Sequence, residues 1–329
     1  MATPPTQPVI LRSERLVVEI APPGVAYRGP RFDWTGFITQ VTLDKAHTFC
    51  GVESLQPERN GYIGLGLCNE FGNEKPVGYA DARPGEPFPK LGIGLLRRPD
   101  KEPYNYTRSY ELVQPFPVHL TADRDKVSIE VEPLDCRGYA ARLVRLITVN
   151  QNRLEIAYRL ENTGTRPIDT HEYTHNFICI DNQPIGPDYS LRLACPVELQ
   201  YIVPSLRGML PGRLRKIMPV FLLDVLIRSM LNKGLKPVLI QAQELGFRRP
   251  VKDMFYFRSA RIVQTEGPQW EIRLNSSGVG LREQDDFLPA RLAVWGDRHV
   301  LSAEAFIDIL LQPGEVKTWL RRYEFFAGP

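Results

Sequence analysis

Apolar and polar residues alternate with a period of two over much of the chain. In residues 154–160 every second side chain is apolar, and the charged residues Glu155 and Arg159 lie between them. Successive side chains of a β-strand point to opposite faces of a sheet, so this pattern predicts a half-buried strand. The same alternation recurs in residues 16–20, 37–43, 127–133, 269–275, 291–296 and 317–325.

Short turn-forming segments separate these strands. Residues 161–167, with the sequence ENTGTRP, contain the Asn, Gly and Pro typical of a tight connection, and a second apolar run follows. Strand-like runs continue from one end of the chain to the other without regularly interspersed helices. This order predicts an all-β fold, built as a large antiparallel β-sandwich. Because the chain shows no internal repeat and no low-complexity linker, we expect residues 1–329 to form one domain.

One segment, residues 211–237, departs from the strand pattern. Its apolar residues recur at roughly helical spacing, Pro219 interrupts the run, and Gly234 is a typical C-terminal stop. We expect a helical insertion that packs against the sheet or against a partner subunit. Basic residues are interspersed along it, so contact with a membrane surface is the alternative.

The charge balance argues against nucleic acid as the main partner. Lys and Arg number 41 and Asp and Glu number 38, which gives a formal net charge of +3. The chain begins without a basic segment followed by an apolar run, and it contains no apolar stretch of the roughly 20 residues that spanning a bilayer requires. We therefore expect a soluble cytoplasmic protein.

Cysteine usage fits the same compartment. The five cysteines are an odd number, widely scattered, and form no CxxC pair. This pattern favours reduced thiols over a disulfide framework or a zinc site. The cysteines are Cys50, Cys68, Cys136, Cys179 and Cys195.

Two of the five histidines, His171 and His175, lie four residues apart. On a strand an even separation places both imidazoles on one face, where they can line the same cleft. A purely structural role for both is the alternative. An HxxxH pair would bind zinc well on a helix, but this segment is predicted to be a strand and no third ligand is evident nearby.

Near the end of the chain, Glu304 lies among small and apolar residues in the segment 301–309, LSAEAFIDI. A carboxyl group in apolar surroundings has a raised pKa, which suits a general base near neutral pH. The alternative is that Glu304 is exposed while its neighbours face the interior.

Several spaced motifs accompany these two regions. They are residues 160–164 (LENTG), 173–177 (YTHNF), Glu304, 313–315 (PGE) and 323–325 (YEF). In this order they resemble the aldose 1-epimerase (galactose mutarotase) superfamily, and the resemblance extends from about residue 120 onward. It implies a β-sandwich of the supersandwich type with a sugar site in a concave sheet face.

The resemblance also implies a chemistry. An isomerase of this kind exchanges the α and β anomers of a sugar by opening its ring. This needs one base for the anomeric hydroxyl and one acid for the ring oxygen, but neither metal nor cofactor. By the resemblance Glu304 is the base and His175 the acid, with His175 protonated while Glu304 is ionised. We expect the two to face each other across a cleft with room for one sugar ring.

The residues that would recognise the sugar depart from the superfamily pattern. The segment that supplies its substrate-binding arginine is not visible, and residues 88–99 take its place. From these, Lys90 and Arg97 are candidates to bind sugar hydroxyls or an acidic group on the sugar, with solvated loop charges as the alternative. The further substrate-binding candidates are Glu70, His171, Asn176 and Trp295. For Glu70, in the segment 69–72 after a glycine-rich apolar run, a surface turn is the favoured alternative.

These candidates differ in role. Trp295 could stack on the apolar face of a pyranose, with a buried core position as the alternative. Thr174 replaces an asparagine that the superfamily carries before its acid histidine, and His171 could replace a second binding histidine. The charged and aromatic segment 31–34 is expected to form a structural corner.

A small-molecule sugar is therefore the expected ligand, without a galactose or glucose assignment. The leading hypothesis is an epimerase-like enzyme that acts at the anomeric carbon, as a monomer or homodimer. The alternatives are a non-catalytic carbohydrate-binding protein on the same scaffold, and a structural or membrane-peripheral protein that uses residues 211–237.

Overall fold

The computed structural model describes residues 7–56, 61–194, 199–200, 236–241, 243–259 and 267–328, together with residues 222, 225 and 229. These residues form 23 β-strands and one 3-10 turn, Ile180–Asn182. The first strands are β1 (Val9–Arg12), β2 (Leu16–Ala21), β3 (Phe37–Leu43), β4 (His47–Thr48), β5 (Leu67–Phe71), β6 (Pro87–Lys90), β7 (Gly94–Arg97), β8 (Leu112–Pro115), β9 (Val118–Ala122), β10 (Lys126–Val131), β11 (Ala141–Asn150) and β12 (Arg153–Asn162). They are followed by β13 (Ile168–Asn176), β14 (Tyr189–Leu193), β15 (Leu199–Gln200), β16 (Val238–Gln241), β17 (Glu244–Phe247), β18 (Phe255–Ser259), β19 (Trp270–Leu274), β20 (Gly280–Asp285), β21 (Arg291–Asp297), β22 (Val300–Leu311) and β23 (Val316–Phe326).

Two ten-stranded antiparallel sheets contain most of the described strands. The first has the order β1-β2-β3-β5-β13-β22-β21-β18-β15, with β4 paired to β3. The second has the order β16-β17-β14-β19-β20-β23-β12-β11-β10-β9, and β6, β7 and β8 form a small third sheet. The prediction of an all-β antiparallel sandwich is therefore confirmed.

The alternation seen in the sequence builds the core between the two large sheets. In β12, Leu154 and Leu160 are fully buried, whereas Glu155 between them reaches the surface. Tyr158 of the same strand stacks on Trp319 of the neighbouring β23, with ring centroids 4.8 Å apart. Burial of each large apolar side chain contributes about 1.5–3 kcal/mol, so the inward-facing residues drive the two sheets together.

A buried cluster of charges joins the two sheets at β13. Arg321 of β23 is fully buried, and its Nη2 donates to Glu172 of β13 at 2.7 Å. Its Nη1 donates to two carboxylates of β20, Glu283 at 3.0 Å and Asp285 at 3.1 Å. A guanidinium in the interior is tolerated when its donors and its charge are matched in this way. The cluster thus ties β13 of the first sheet to the second sheet.

The predicted helical insertion at 211–237 lies outside the described residues, apart from residues 222, 225 and 229, which are helical, and residues 236–237. Its packing therefore stays a prediction. Among the residues that the structure describes, no helix is long and apolar enough to cross a membrane.

The cysteines within the described ranges are free thiols. Cys50, Cys68, Cys136 and Cys179 are all buried, and Cys195 lies outside the described residues. Burial raises the pKa of Cys50 to about 12 and raises the pKa of the other three thiols as well. The reactive thiolate form is therefore disfavoured at neutral pH.

Replacing Arg321 with methionine tests the charge cluster between the sheets. Because Glu172, Glu283 and Asp285 would then be buried without their cation, we expect the free energy of unfolding to fall by about 3–5 kcal/mol. The adjacent Arg322→Met is the matched control: that arginine is 41% exposed, so its loss should cost below about 1 kcal/mol. Urea unfolding followed by circular dichroism measures both, and equal losses would contradict a special role for Arg321.

Candidate active site

A pocket lies on the face of the first sheet that points away from the core. Asn176 of β13 donates to Glu283 of the second sheet, so the alternation of side chains turns Tyr173 and His175 to the opposite face. Strands β5, β22, β21 and β18 continue this face on either side of β13. The pocket has a volume of about 270 Å³.

Aromatic and charged side chains dominate the lining of this pocket. The aromatic residues are Tyr106, Tyr173, Tyr256, Trp295 and Phe306. The charged or titratable residues are Arg31, Glu53, Glu74, His175, Arg258, Asp297 and Glu304. Such a mixture of ring faces and hydrogen-bonding groups is typical of sites that bind small polar molecules.

His175 and Glu304 touch each other in the pocket. They come from the neighbouring strands β13 and β22, and Nε2 of His175 lies 3.2 Å from Oε1 of Glu304. Their side chains are only 5% and 4% exposed. Ser302 sits beside both, with its Oγ 3.0 Å from Nδ1 of His175 and 3.1 Å from Oε1 of Glu304. The backbone N–H of Asn176 donates to the same Oγ, so the serine holds the two side chains in one arrangement.

This contact differs from the expectation that a sugar ring would fit between the two groups. The expectation followed from placing an acid and a base on opposite sides of the anomeric centre. The register of β13 and β22 instead brings both groups together, so a ligand would have to lie against the pair rather than between its members.

Aromatic rings surround the imidazole. Phe177 stacks on His175 with centroids 3.9 Å apart and an interplanar angle of 9°. The rings of Phe32, Tyr173 and Trp295 complete the surroundings at 5.6–6.0 Å. These rings keep water from the imidazole and thereby disfavour its charged form.

Burial sets the protonation of the pair. It lowers the pKa of His175 well below 6.5, and the charge of Arg31 lowers it further. Burial raises the pKa of Glu304 to about 8, against a smaller opposing effect of Arg31. At neutral pH the imidazole is therefore neutral and the carboxyl protonated. This form holds the same number of protons as an imidazolium beside a carboxylate. The two forms differ only in whether the transferable proton is on Glu304 or on His175.

The segment 31–34 was expected to form a structural corner, but it delivers Arg31 to the pocket. Nε of Arg31 donates to Glu70 at 2.8 Å, and Nη1 donates to Glu53 at 2.9 Å. Nη2 donates to the hydroxyl of Tyr173 at 3.2 Å. The rings of Phe32 and Tyr106 flank the guanidinium at 4.3 and 4.6 Å.

A second arginine, Arg258 of β18, lines the other side of the pocket. Its Nε donates to the hydroxyl of Tyr256 at 2.6 Å, and its Nη2 donates to Glu74 in the loop after β5. Glu74 also accepts from Nη1 of Arg291 at 3.3 Å. Burial raises the pKa of Glu74, but Arg291 and Arg258 together lower it by more, so this carboxylate stays ionised.

No protein-family model and no curated protein matches the sequence. Among solved structures, the chain is similar to a GalM/aldose epimerase homologue from C. elegans, with a TM-score of 0.58 and 10% identity over 99% of this chain and 100% of that chain. It is also similar to galactose mutarotase-like proteins from Lactobacillus casei (TM-score 0.55, 11% identity, 97% and 100% covered) and Clostridium acetobutylicum (0.56, 12%, 98% and 95%). The chain has the galactose mutarotase-like fold.

The resemblance that the sequence motifs predicted is thus confirmed at the level of the fold. In this galactose mutarotase-like structure, His175, Glu304 and Trp295 line the pocket. Glu70 is fully buried and contacts the pocket through Arg31. His171 shares the face of His175, but its Nε2 bonds to Oδ1 of Asn73, and its own side chain does not line the pocket.

The structure corrects the role assigned to Asn176. It was expected to bind substrate, but it directly follows His175, and adjacent residues of a strand point to opposite faces. Its Nδ2 donates to Glu283 at 3.1 Å and to the carbonyl of Ala303 at 2.7 Å, and its side chain is fully buried. Asn176 therefore belongs to the interior of the galactose mutarotase-like sandwich.

Lys90 and Arg97, the expected replacements for the superfamily's arginine, do not line the pocket either. Lys90 is 1% exposed, and its Nζ donates to the carbonyl of Phe71 at 2.5 Å. Burial lowers the pKa of Lys90 to about 8. Arg97 lies at the surface on β7, where its Nε donates to Glu111 at 2.9 Å. The pocket cations are Arg31 and Arg258 instead, which come from other parts of the chain.

The stability of the Glu304→Gln variant tests whether burial raises the pKa of the Glu304 carboxyl. Because the folded protein raises the pKa of Glu304 from 4.5 to about 8, it binds this proton more tightly than the unfolded chain does. The contribution of this proton to the free energy of unfolding is fully present below about pH 4.5 and is lost as the pH rises through about 8. Since glutamine cannot ionise, the variant should gain about 2–5 kcal/mol relative to wild type between about pH 5 and about pH 9.

Urea unfolding at a series of pH values measures this difference. Glu155→Gln, which replaces a carboxylate of β12 that is 42% exposed, is the matched control. A stability difference between wild type and Glu304→Gln that stays constant with pH would show that Glu304 is ionised throughout.

Proposed function

We propose that this chain is an aldose 1-epimerase-like isomerase, which interconverts the α and β anomers of a sugar through Glu304 and His175. The direct contact of one imidazole and one carboxyl, both buried in a pocket of the sheet face, carries the proposal. The galactose mutarotase-like fold supports it, because similar solved structures bear mutarotase or epimerase names.

The closeness of the two groups suits the oxygens that they would serve. The anomeric hydroxyl and the ring oxygen of a cyclic sugar are bonded to the same carbon. A base for one and an acid for the other must therefore lie close together, on the side from which the anomeric carbon approaches. Nε2 of His175 and Oε1 of Glu304, 3.2 Å apart, meet this requirement.

Their protonation also suits the reaction. The pair holds one transferable proton below about pH 8, and burial favours its residence on Glu304. Transfer of this proton to His175 across the contact gives the imidazolium and the carboxylate without changing the net charge of the pair. The reactive form is thus reached without bringing a charge into the pocket.

The proposed reaction proceeds by two proton transfers. The carboxylate of Glu304 removes the proton of the anomeric hydroxyl while His175 delivers its proton to the ring oxygen. The bond between the anomeric carbon and the ring oxygen breaks, and the hydroxyl oxygen becomes the carbonyl oxygen of the open-chain aldehyde. Rotation exposes the other carbonyl face, and the reverse steps close the ring with inverted configuration. One proton is taken and one is given, so no co-reactant is consumed.

Aromatic residues would position the sugar over the pair. Trp295 contacts His175 edge-on with centroids 5.6 Å apart, and its partly exposed ring lines the pocket. Such a ring can pack on the apolar face of a pyranose. The hydroxyl groups of the sugar would then bond to the polar lining of the pocket.

Exchange NMR of anomeric protons, across a panel of aldoses, tests the proposal. We expect wild type to accelerate the exchange of at least one aldose. His175→Asn and Glu304→Gln should each lower the rate by about 10²–10⁴-fold, since each removes one positioned proton-transfer group. His119→Asn and Glu155→Gln, at exposed positions of the second sheet, are matched controls that should retain the rate.

Exchange at the buffer rate for every sugar would refute the isomerase. If one sugar still received saturation transfer from the protein in that experiment, the result would favour a non-catalytic carbohydrate-binding protein on the same scaffold.

The pH dependence of kcat/KM should be bell-shaped. Above about pH 8 Glu304 loses its proton and the pair has no acid, so the rate should fall. At acid pH, below the lowered pKa of His175, both groups are protonated and the pair has no base. Rates measured from about pH 4 to about pH 10 test this, and a rate that keeps rising above about pH 9 would contradict the assignment.

A further inference from the structure

The arginines of the pocket are each paired with carboxylates. Arg31 contacts Glu53 and Glu70, and Arg258 contacts Glu74. This arrangement bears on which sugars the pocket can accept. The acceptance of sugars rests on the proposed function, whereas the charge of the pocket does not depend on it.

Glu53 and Glu70 occupy two edges of the guanidinium of Arg31. Glu70 is fully buried, whereas Glu53 is 19% exposed and also accepts from the N–H of Gly64 at 2.8 Å. Arginine recognises a phosphate or carboxylate through a pair of parallel N–H groups. In Arg31 the Nε and Nη1 donors are already engaged by the protein's own carboxylates.

Glu74 has the corresponding position at Arg258. One oxygen of Glu74 accepts from Arg258, and the other accepts from Arg291. The side chain of Glu74 is 38% exposed and lines the pocket, whereas that of Arg258 is only 11% exposed. A ligand in the pocket therefore meets the carboxylate together with the guanidinium.

The charges around the pocket balance among the described residues. The cations are Arg31, Arg258, Arg291 and Lys90, which does not line the pocket but lies 3.9 Å from Glu70. The carboxylates are Glu53, Glu70, Glu74 and Asp297. An anionic ligand would add uncompensated charge next to ionised carboxylates, which is unfavourable in a partly desolvated site. Sugar hydroxyls, in contrast, can donate to these carboxylates and accept from the guanidinium N–H groups.

We propose that Glu53 and Glu74 are specificity-determining residues, which neutralise Arg31 and Arg258 and thereby restrict the pocket to sugars without a phosphate or carboxylate group. Removing the charge of Glu53 releases the Nη1 donor of Arg31, whose Nε stays paired with Glu70, and removing the charge of Glu74 releases the Nη2 donor of Arg258. Each change should create a site for anions.

Inorganic phosphate is the probe, because its binding requires neither sugar recognition nor turnover. Wild type, Glu53→Gln and Glu74→Gln are titrated with phosphate while the indole N–H resonance of Trp295 is followed by NMR. We expect each variant to bind phosphate at least about tenfold more tightly than wild type, since a freed guanidinium forms charge-assisted hydrogen bonds. Urea unfolding of each variant verifies that it is folded.

Asp297→Asn is the matched control. Asp297 lines the pocket, but in the described part of the chain it forms no ion pair with an arginine side chain, and its Oδ1 accepts from the backbone N–H of Arg298 at 2.7 Å. Its replacement changes the pocket charge by the same amount without freeing a guanidinium, so phosphate affinity should change by less than about threefold. An equal gain in Asp297→Asn would overturn the proposal, as would phosphate binding by wild type as tight as that of the glutamine variants.

A paired comparison of glucose with glucose 6-phosphate by saturation transfer extends the test to sugars. Wild type should favour the uncharged sugar, and Glu53→Gln should reduce this preference at least about tenfold. Anion exclusion without anomer exchange would refute the isomerase and support the present proposal. Anomer exchange in a wild-type protein that also binds phosphate tightly would do the reverse.

Discussion

Strand β13 carries polar side chains on both of its faces, and the alternation of side chains along it fixes the pocket and the interior together. Tyr173 and His175 face the pocket, whereas Glu172 and Asn176 bond to the second sheet. A shift of one residue in the pairing of this strand would exchange the two sets. The interior bonds therefore fix the register of β13, and the position of His175 in the pocket depends on that register.

The same constraint explains why so polar an interior persists in the sandwich. Apolar residues at the inward positions of β13 would pack the core without leaving any buried charge to be matched. Buried charges stabilise a fold only when they are fully matched. The bonds of Glu172 to Arg321, and of Asn176 to Glu283, are directional and admit one register. Apolar contacts, which are not directional, would tolerate several registers. We infer that the polar layer contributes positional accuracy to the pocket, whereas the surrounding apolar core supplies most of the stability.

The sequence predicted the features that depend on local pattern. Period-two alternation was enough to predict the antiparallel sandwich. Spaced motifs singled out His175 and Glu304, which the structure brings into contact rather than to opposite sides of a cleft with room for a sugar ring. Asn176 was misassigned although the same alternation, applied one residue further, turns it inward. Arg31 could not be found in this way, because a loop between β2 and β3 brings it to the pocket through contacts with Glu53 and Glu70. Such long-range packing leaves no periodic signal in the sequence.

The carboxylates around Arg31 link the charge of the pocket to the chemistry of the pair. An unpaired guanidinium close to Glu304 would favour the ionised carboxylate and lower its pKa, which would remove the shared proton at neutral pH. In the structure burial outweighs Arg31, and the charge of Glu70 acts in the same direction as burial, so the pKa of Glu304 rises to about 8. Within the proposed function, the pairing of Arg31 with Glu70 thus also helps to keep the transferable proton on Glu304. The proposed ligand selection and the proposed acid–base chemistry therefore both depend on one ion-pair network around Arg31.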